Sequence, residues 1–276
     1  MTKTTKAELP QTQQLLLERQ ESVLRVWFNR PEAKNALSDQ MTDELIALLD
    51  AVRDDRSIRT IVLRGKGSVF CAGGDIKGFQ GTMQQVDKDQ VARSNRSFGD
   101  LMIKLNEQPQ VVICLVEGAA IGGGLGLTCV ADITLVTTDA RFRLSETSLG
   151  IPPAQIAPFV TERVGLTQAR RLMLTGARFK GEEAFNLGIA HGVAVDTEVL
   201  EQQCEAILQQ ISACAPGANA VTKSILFETL RRPRSEALDF AAQGFADCML
   251  SAEGREGVAA FIEKRKPLWA ESESKE

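Results

Sequence analysis

The 276-residue chain has no tyrosine, two tryptophans and one histidine, His191. These absences narrow the chemistry. Ser-His-Asp catalysis would have to use His191, in a segment that reads as a connector. The six cysteines (Cys71, Cys114, Cys129, Cys204, Cys214 and Cys248) form no CxxC and no Cys/His cluster, so no metal site is expected. Cys114 and Cys129 lie in apolar runs and read as small core residues. No apolar run is long enough for a membrane-spanning helix, and residues 1–20 are polar, without the apolar centre of a secretory signal. A reducing cytoplasm is the expected location, with no membrane partner. Excess positive charge is also lacking: 32 Lys and Arg stand against 36 Asp and Glu, a net charge of −4. That argues against a nucleic-acid surface, yet permits a local basic patch facing a phosphate-bearing ligand. No internal repeat or low-complexity segment stands out.

Glycine, by contrast, is concentrated where it matters. Val111-Val112-Ile113-Cys114-Leu115-Val116 reads as a buried strand, and Gly118, Gly122, Gly123 and Gly124 follow it. A triple glycine after a strand lets the backbone approach a ligand and permits φ > 0. An apolar segment comes next, so these glycines are expected to open a helix, whose bare N–H groups can hold a developing anion. A plain glycine-rich turn is the other reading. A second turn, Ser68 to Lys77 (SVFCAGGDIK), follows another buried strand, Thr60 to Leu63. The acid Glu146 comes after a third strand, Ile133 to Thr137. Its neighbours Leu144, Leu149 and Ile151 argue for partial burial, which would raise its pKa toward working pH.

The remaining pattern is α/β. Leu15–Leu17 and Val23–Phe28 look like paired strands with 18–22 between them, and 29–35 is a loop. Ser38 is an N-cap for a helix carrying Met41, Leu45, Leu48, Leu49 and Val52. Gln80 to Asn95 reads as a mobile flap or loose helix near a ligand entrance, or as a solvated surface loop. A helix is expected over 98–105. Past Ile151-Pro152-Pro153 come helical segments at 167–174 and 179–184, then helices at 197–214, 217–230, 235–250 and 253–265. The boundary is drawn near residue 200: 1–200 form a core with the active site, and 201–276 a helical lid and assembly region.

Taken together, VFCAGGDIK, EGAAIGGGLGL and the lone acid in LSETSLGI resemble the enoyl-CoA hydratase/isomerase (crotonase) family. NRPEAKNALS, RFKGEEAFNLGIAHGV and GREGVAAFIEKRKPLW extend the likeness over nearly the whole chain. The resemblance implies a spiral of ββα units with a C-terminal helical trimerisation region, and a homotrimer or a hexamer. The substrate is then an acyl-CoA thioester, with coenzyme A part of the substrate and no separate cofactor. The backbone N–H groups of Ala72 and Gly123 match the donors that hold the thioester oxygen, and Glu146 matches a catalytic acid/base. Gly73, Gly74, Asp75, Ile76 and Gly126 are expected to line the substrate. Phe261 and Lys264 match the family's C-terminal contacts to the nucleotide end of CoA, and an ordinary basic helix end is the other reading. Lys77 is a further cation candidate. Arg143 has three readings: a pair with Glu146, a contact to a substrate carboxylate, or a surface position.

One position departs from the family's two-glutamate pattern. The first acid is expected two places after the triple glycine, and Gly126 stands there. GGGLGL followed by LSETSLGIPPAQIAPF resembles bacterial hydratases acting on 3-branched glutaconyl-CoA thioesters, of the isohexenylglutaconyl-CoA and 3-methylglutaconyl-CoA type, in acyclic-terpene and leucine breakdown. Such substrates carry a distal carboxylate, which a nearby glutamate would repel in a poorly solvated pocket. Gly126 would remove that charge and leave room at the branched carbon. A double-bond isomerase and a non-catalytic acyl-CoA-binding paralogue are the alternatives.

Overall fold

The computed structural model describes residues 7–75 and 87–270. β1 (Leu15–Gln20) and β2 (Val23–Phe28) form an antiparallel hairpin, Leu15 opposite Phe28. β1 runs further than the pattern indicated: Glu18 to Gln20 belong to the strand, and the turn shrinks to Glu21-Ser22, with Glu21 at φ 51°. Along β2, β3 (Thr60–Gly65), β4 (Val111–Val116), β6 (Ile133–Thr137) and β9 (Gly192–Ala194) every pairing is parallel, giving the order β1-β2-β3-β4-β6-β9. A smaller sheet has the order β5 (Ala119–Ile121), β7 (Arg141–Arg143), β8 (Arg178–Lys180).

Side-chain alternation explains why the central strands are apolar throughout. Ile61, Leu63, Val112, Cys114 and Val116 point into the main core, which also takes in α1 (Asp39–Val52), α2 (Lys88–Asn106) and α3 (Gly123–Val130). Val62, Ile113, Leu115 and Leu135 face the other way. They meet Leu200, Cys204, Leu208 and Ile211 of α6 (Thr197–Ser212), after α4 (Ala157–Thr175) and α5 (Gly181–Asn186). The boundary near residue 200 is therefore corrected. α6 seals one face of the sheet, and Leu200 alone, fully buried there, contributes about 2 kcal/mol of apolar burial. The helices that stand apart begin after Ser212.

Those helices are α7 (Pro216–Arg231), α8 (Arg234–Leu250) and α9 (Ala252–Ile262). α7 packs on α8 and α8 on α9, yet few of their residues are buried: none in α7, Ala237 in α8, Ala260 in α9. Leu230, Leu238, Phe245 and Met249 are exposed. Phe227 and Phe240 are half-covered, by the guanidinium groups of Arg231 and Arg232. One deep anchor joins α7 to the sheet. Lys223 Nζ donates to the carbonyls of Gln108 and Gln110 (2.7 Å each) and pairs with Asp132 (2.5 Å).

The Ser38 cap forms as expected, its Oγ accepting from Met41 N–H at 3.1 Å. The segment read as flap or loop divides: residues 88–95 are the first turns of α2, capped by Asp87, while 80–86 lie outside the described residues, as do Ile76 and Lys77. Among the described residues no helix is long and apolar enough to cross a membrane.

Candidate active site

Two glycine-rich turns meet at one end of the sheet. The first, Cys71 to Asp75, leaves β3, and the second, Gly122 to Gly124, leaves β5. They are laced together: Cys71 N–H donates to Ala119 O (2.9 Å) and Ile121 N–H to Cys71 O (3.0 Å). An added Cβ on Gly73 would stand 3.0 Å from Ile121 O, so the turns touch through backbone. Gly122 caps α3 at φ 51°, and its N–H donates to Arg143 O at the end of β7 (2.8 Å). That bond brings the chain after β7 alongside the helix N-terminus, and three residues later comes Glu146.

Glu146 lies against Gly122. A Cβ at Gly122 would stand 2.7 Å from Glu146 Oε1, so no side chain fits there while the carboxylate holds its place. Oε2 is buried and has no hydrogen-bond partner among the described residues. Burial raises the Glu146 pKa above the ordinary carboxylate range, against the smaller lowering effect of its own and Ser145's amides. A buried, unpartnered carboxylate oxygen is expensive to keep charged unless something is to bind it. Its segment is braced by Ile151 N–H on Glu146 O (3.2 Å) and by Thr147 Oγ1 donating to Met173 O (2.9 Å).

The expected anion donors divide. Gly123 is the first residue of α3, and its N–H is one of those an α-helix leaves without an internal partner. The residue is partly exposed. Ala72 is corrected: its N–H already donates to Lys34 O at 3.0 Å, so it is not available to a thioester oxygen. The free donor of that turn is Gly74. Its neighbours are committed, Gly73 N–H to Cys71 Sγ (3.4 Å) and Asp75 N–H to Leu37 O (2.9 Å), whereas Gly74 is exposed and its own N–H makes no bond to described residues. Asp75 pairs with Arg30 (2.9 Å).

Gly126 is corrected as well. It is buried within α3, and the direction in which a side chain would leave it is filled: an added Cβ would meet Ile156 Cγ2 at 2.4 Å and Met102 Cε at 3.3 Å. No room is left there for a branched carbon. Gly122 and Gly126 lie one helical turn apart on the same face, so Ile156 sits one turn beyond the Glu146 carboxylate. Phe98 Cζ and Leu37 Cδ1 lie within 3.2 Å of a Cβ placed on Gly123, so apolar side chains line the start of α3.

Arg143 makes no pair with Glu146. Its Nε donates to Gly176 O (3.0 Å) and its Nη2 to Ser148 Oγ (3.2 Å). His191 is committed elsewhere: its Nδ1 accepts from Thr134 N–H (3.0 Å) and its own N–H donates to Thr134 O (2.7 Å). Burial lowers its pKa, so it is a neutral structural group. The Cys71 thiol, pushed up to about 12 by burial, is no nucleophile at neutral pH. Phe261 is 86% exposed on α9, which packs on α8; Lys264 follows α9 at φ 56°.

Gly74 as donor, Ile156 as wall and residues 30–37 as support are what sequence reasoning missed. The signal for the last was present in the loop NRPEAKNALS, whose asparagine favours left-handed backbone.

Two glycine-rich turns, laced together through their backbones and carrying the Gly74 and Gly123 N–H groups, with one desolvated carboxylate against Gly122, have the chemistry to stabilise an anion and to move a proton. The family model for enoyl-CoA hydratase/isomerase matches residues 18–272. Among solved structures, Pseudomonas aeruginosa AtuE is 51% identical with a TM-score of 0.92, covering 94% of this chain and 100% of that one. An enoyl-CoA hydratase/isomerase from Marinobacter aquaeolei is 45% identical with a TM-score of 0.91, over 94% and 99%. The short-chain-enoyl-CoA hydratase of Clostridium acetobutylicum is 30% identical over 260 residues, 91% of this chain and 95% of that protein. The chain belongs to the enoyl-CoA hydratase/isomerase family and has its crotonase fold.

Proposed function

We propose that the protein is an enoyl-CoA hydratase adding water across the 2,3 double bond of a branched glutaconyl-type acyl-CoA, isohexenylglutaconyl-CoA or 3-methylglutaconyl-CoA. The observation that carries the reading is the buried Oε2 of Glu146, without a hydrogen-bond partner among the described residues, with the carboxylate against Gly122 at the start of the helix that Gly123 opens. Glu146, as carboxylate, takes a proton from water while the water oxygen bonds to C3. The π electrons move onto the thioester oxygen, held by the N–H groups of Gly74 and Gly123. The enolate then collapses, and C2 takes the proton from the Glu146 carboxyl. Water is added in full and the acid returns to its starting state.

The acyl class rests on the sequence pattern GGGLGL and LSETSLGIPPAQIAPF together with the apolar Ile156 where a second carboxylate would otherwise reach. A distal substrate carboxylate then meets no second acid from α3. Phe261 and Lys264 are assigned to the nucleotide end of CoA, reached in a homotrimer or dimer of trimers formed through the exposed apolar residues of α7 to α9. Isomerisation is the second reading: one carboxylate suffices to shuttle a proton between carbons.

Incubation with 3-methylglutaconyl-CoA, its isohexenyl analogue and crotonyl-CoA, followed by mass spectrometry, tests the proposal. A gain of one water on the branched glutaconyl substrates in preference to crotonyl-CoA supports it. Movement of the double bond without water would replace it by the isomerase reading, and no reaction with any thioester by a binding role.

A further inference from the structure

The Gly74 N–H is aimed by the backbone of a segment earlier in the chain. Residues 30–37 run beside the Cys71–Asp75 turn and hold it at three backbone points: Ala72 N–H to Lys34 O (3.0 Å), Leu37 N–H to Gly73 O (2.8 Å) and Asp75 N–H to Leu37 O (2.9 Å). The middle bond sets the orientation. A peptide group is planar and trans, so with the Gly73 carbonyl turned toward Leu37, the Gly74 N–H must point away from it. The segment is itself held by Asn35, which is fully buried. Lys34 and Asn35 are both left-handed, at φ 52° and 54°. Asn35 Nδ2 donates to Lys66 O (2.8 Å) and Val69 O (2.6 Å), on the stretch that feeds the turn, and Oδ1 accepts from Arg30 N–H (2.9 Å). Arg30 extends the brace to Ala36 O (2.6 Å) and Asp75 (2.9 Å).

We propose that Asn35 is a positioning residue for the reaction: by tying residues 30–37 to the chain before the turn, it fixes the direction of the Gly74 N–H. The inference rests on the oxyanion role given above to Gly74 and Gly123. Because a left-handed pair precedes Leu37, backbone freedom and side-chain bonding can be separated by mutation. Asn35→Gly keeps the left-handed conformation accessible and deletes all three side-chain bonds.

The test uses the full-length enzyme, with folding checked by near-ultraviolet circular dichroism. Two quantities are read: the split between kcat and KM, and the red shift in absorption of a 2,4-dienoyl-CoA on binding, which reports polarisation of its thioester carbonyl. Folded Asn35→Gly is expected to lose about 100-fold in kcat with KM within about threefold, as for a misaligned donor, and to show a reduced red shift. Arg30→Gln, which leaves Asn35 in place, is expected to give the same split more weakly, and carries the test should Asn35→Gly fail to fold. A folded Asn35→Gly, or failing that Arg30→Gln, with the wild-type red shift and kcat overturns the positioning role. A fall in activity matching the folded fraction, with the red shift intact, also overturns it and leaves Asn35 merely structural. Absence of any red shift in the wild-type protein is the separate result that removes the oxyanion reading.

Discussion

Replacing Glu146 by glutamine separates the chemistry of the site from its cost in stability. Glutamine keeps the shape and can hydrogen-bond, yet cannot accept and return a proton. General acid–base catalysis is worth about 10²- to 10⁴-fold. Gly126 offers no second carboxylate, and Ile156 occupies that side of α3. With no second acid at Gly126 to substitute, the loss in turnover is expected at about 10³-fold or more, or about 4 kcal/mol of transition-state stabilisation, while binding of the CoA thioester stays nearly intact. Stability should move the other way. Glu146 holds its proton more tightly in the folded protein than in the unfolded chain, because burial raises its pKa. The wild-type protein therefore loses stability as pH rises from the ordinary carboxylate range through the raised value. Glutamine does not titrate, so Glu146→Gln should melt higher than wild type, by a margin that widens as pH rises from the ordinary carboxylate range through the raised value and then levels off. Steady-state kinetics and thermal melts across that range measure both. A loss of turnover below about tenfold would end the acid/base role, and a margin independent of pH would refute the burial argument.

Other substitutions follow from the same geometry. Gly126→Glu must displace Ile156 and is expected to destabilise by about 1–3 kcal/mol through overpacking. Adding Ile156→Ala should recover part of that in denaturant melts and should weaken the branched glutaconyl substrate relative to crotonyl-CoA; an improved glutaconyl substrate would contradict the charge argument. Lys223→Met removes the cationic partner of Asp132 and the donor to two carbonyls, and should cost about 2–3 kcal/mol in chemical denaturation, with α7 the first element to lose amide-exchange protection. Light scattering at micromolar concentration should give a trimer or hexamer, and Phe245→Glu should shift it toward monomer; a monomeric wild-type protein would refute the assembly.

Much of this was legible in the residues because the informative positions obey local rules. The Ser38 cap, the Met41 to Val52 stripe and the apolar run of β4 each follow from one periodicity, and all form as read. The triple glycine opens α3 as its spacing required. Harder to read was anything decided by a distant carbonyl. Ala72 and Gly74 look equally able to donate, and only Lys34, far back in the chain, makes one of them busy. Gly126 looked like space because a sequence shows what a residue lacks but not which neighbour fills it; Ile156 comes thirty residues later. The boundary near 200 failed for a related reason: α6 has the same amphipathic pattern whether it covers this sheet or joins the helices after it.

Both proposed anion donors are main-chain amides, and that has a consequence for how this enzyme can vary. No exchange of one ordinary side chain for another deletes an amide, so a scan by single substitutions would report the acid directly and the donors hardly at all. Sensitivity would surface instead at Asn35, Arg30 and Leu37, which carry neither the acid nor either donor. The acyl-facing residues, by contrast, carry no part of the donor pair and are free to drift. A lineage built this way can change the thioester it accepts many times over while the group that stabilises the enolate is inherited intact, because it is written in the path of the chain.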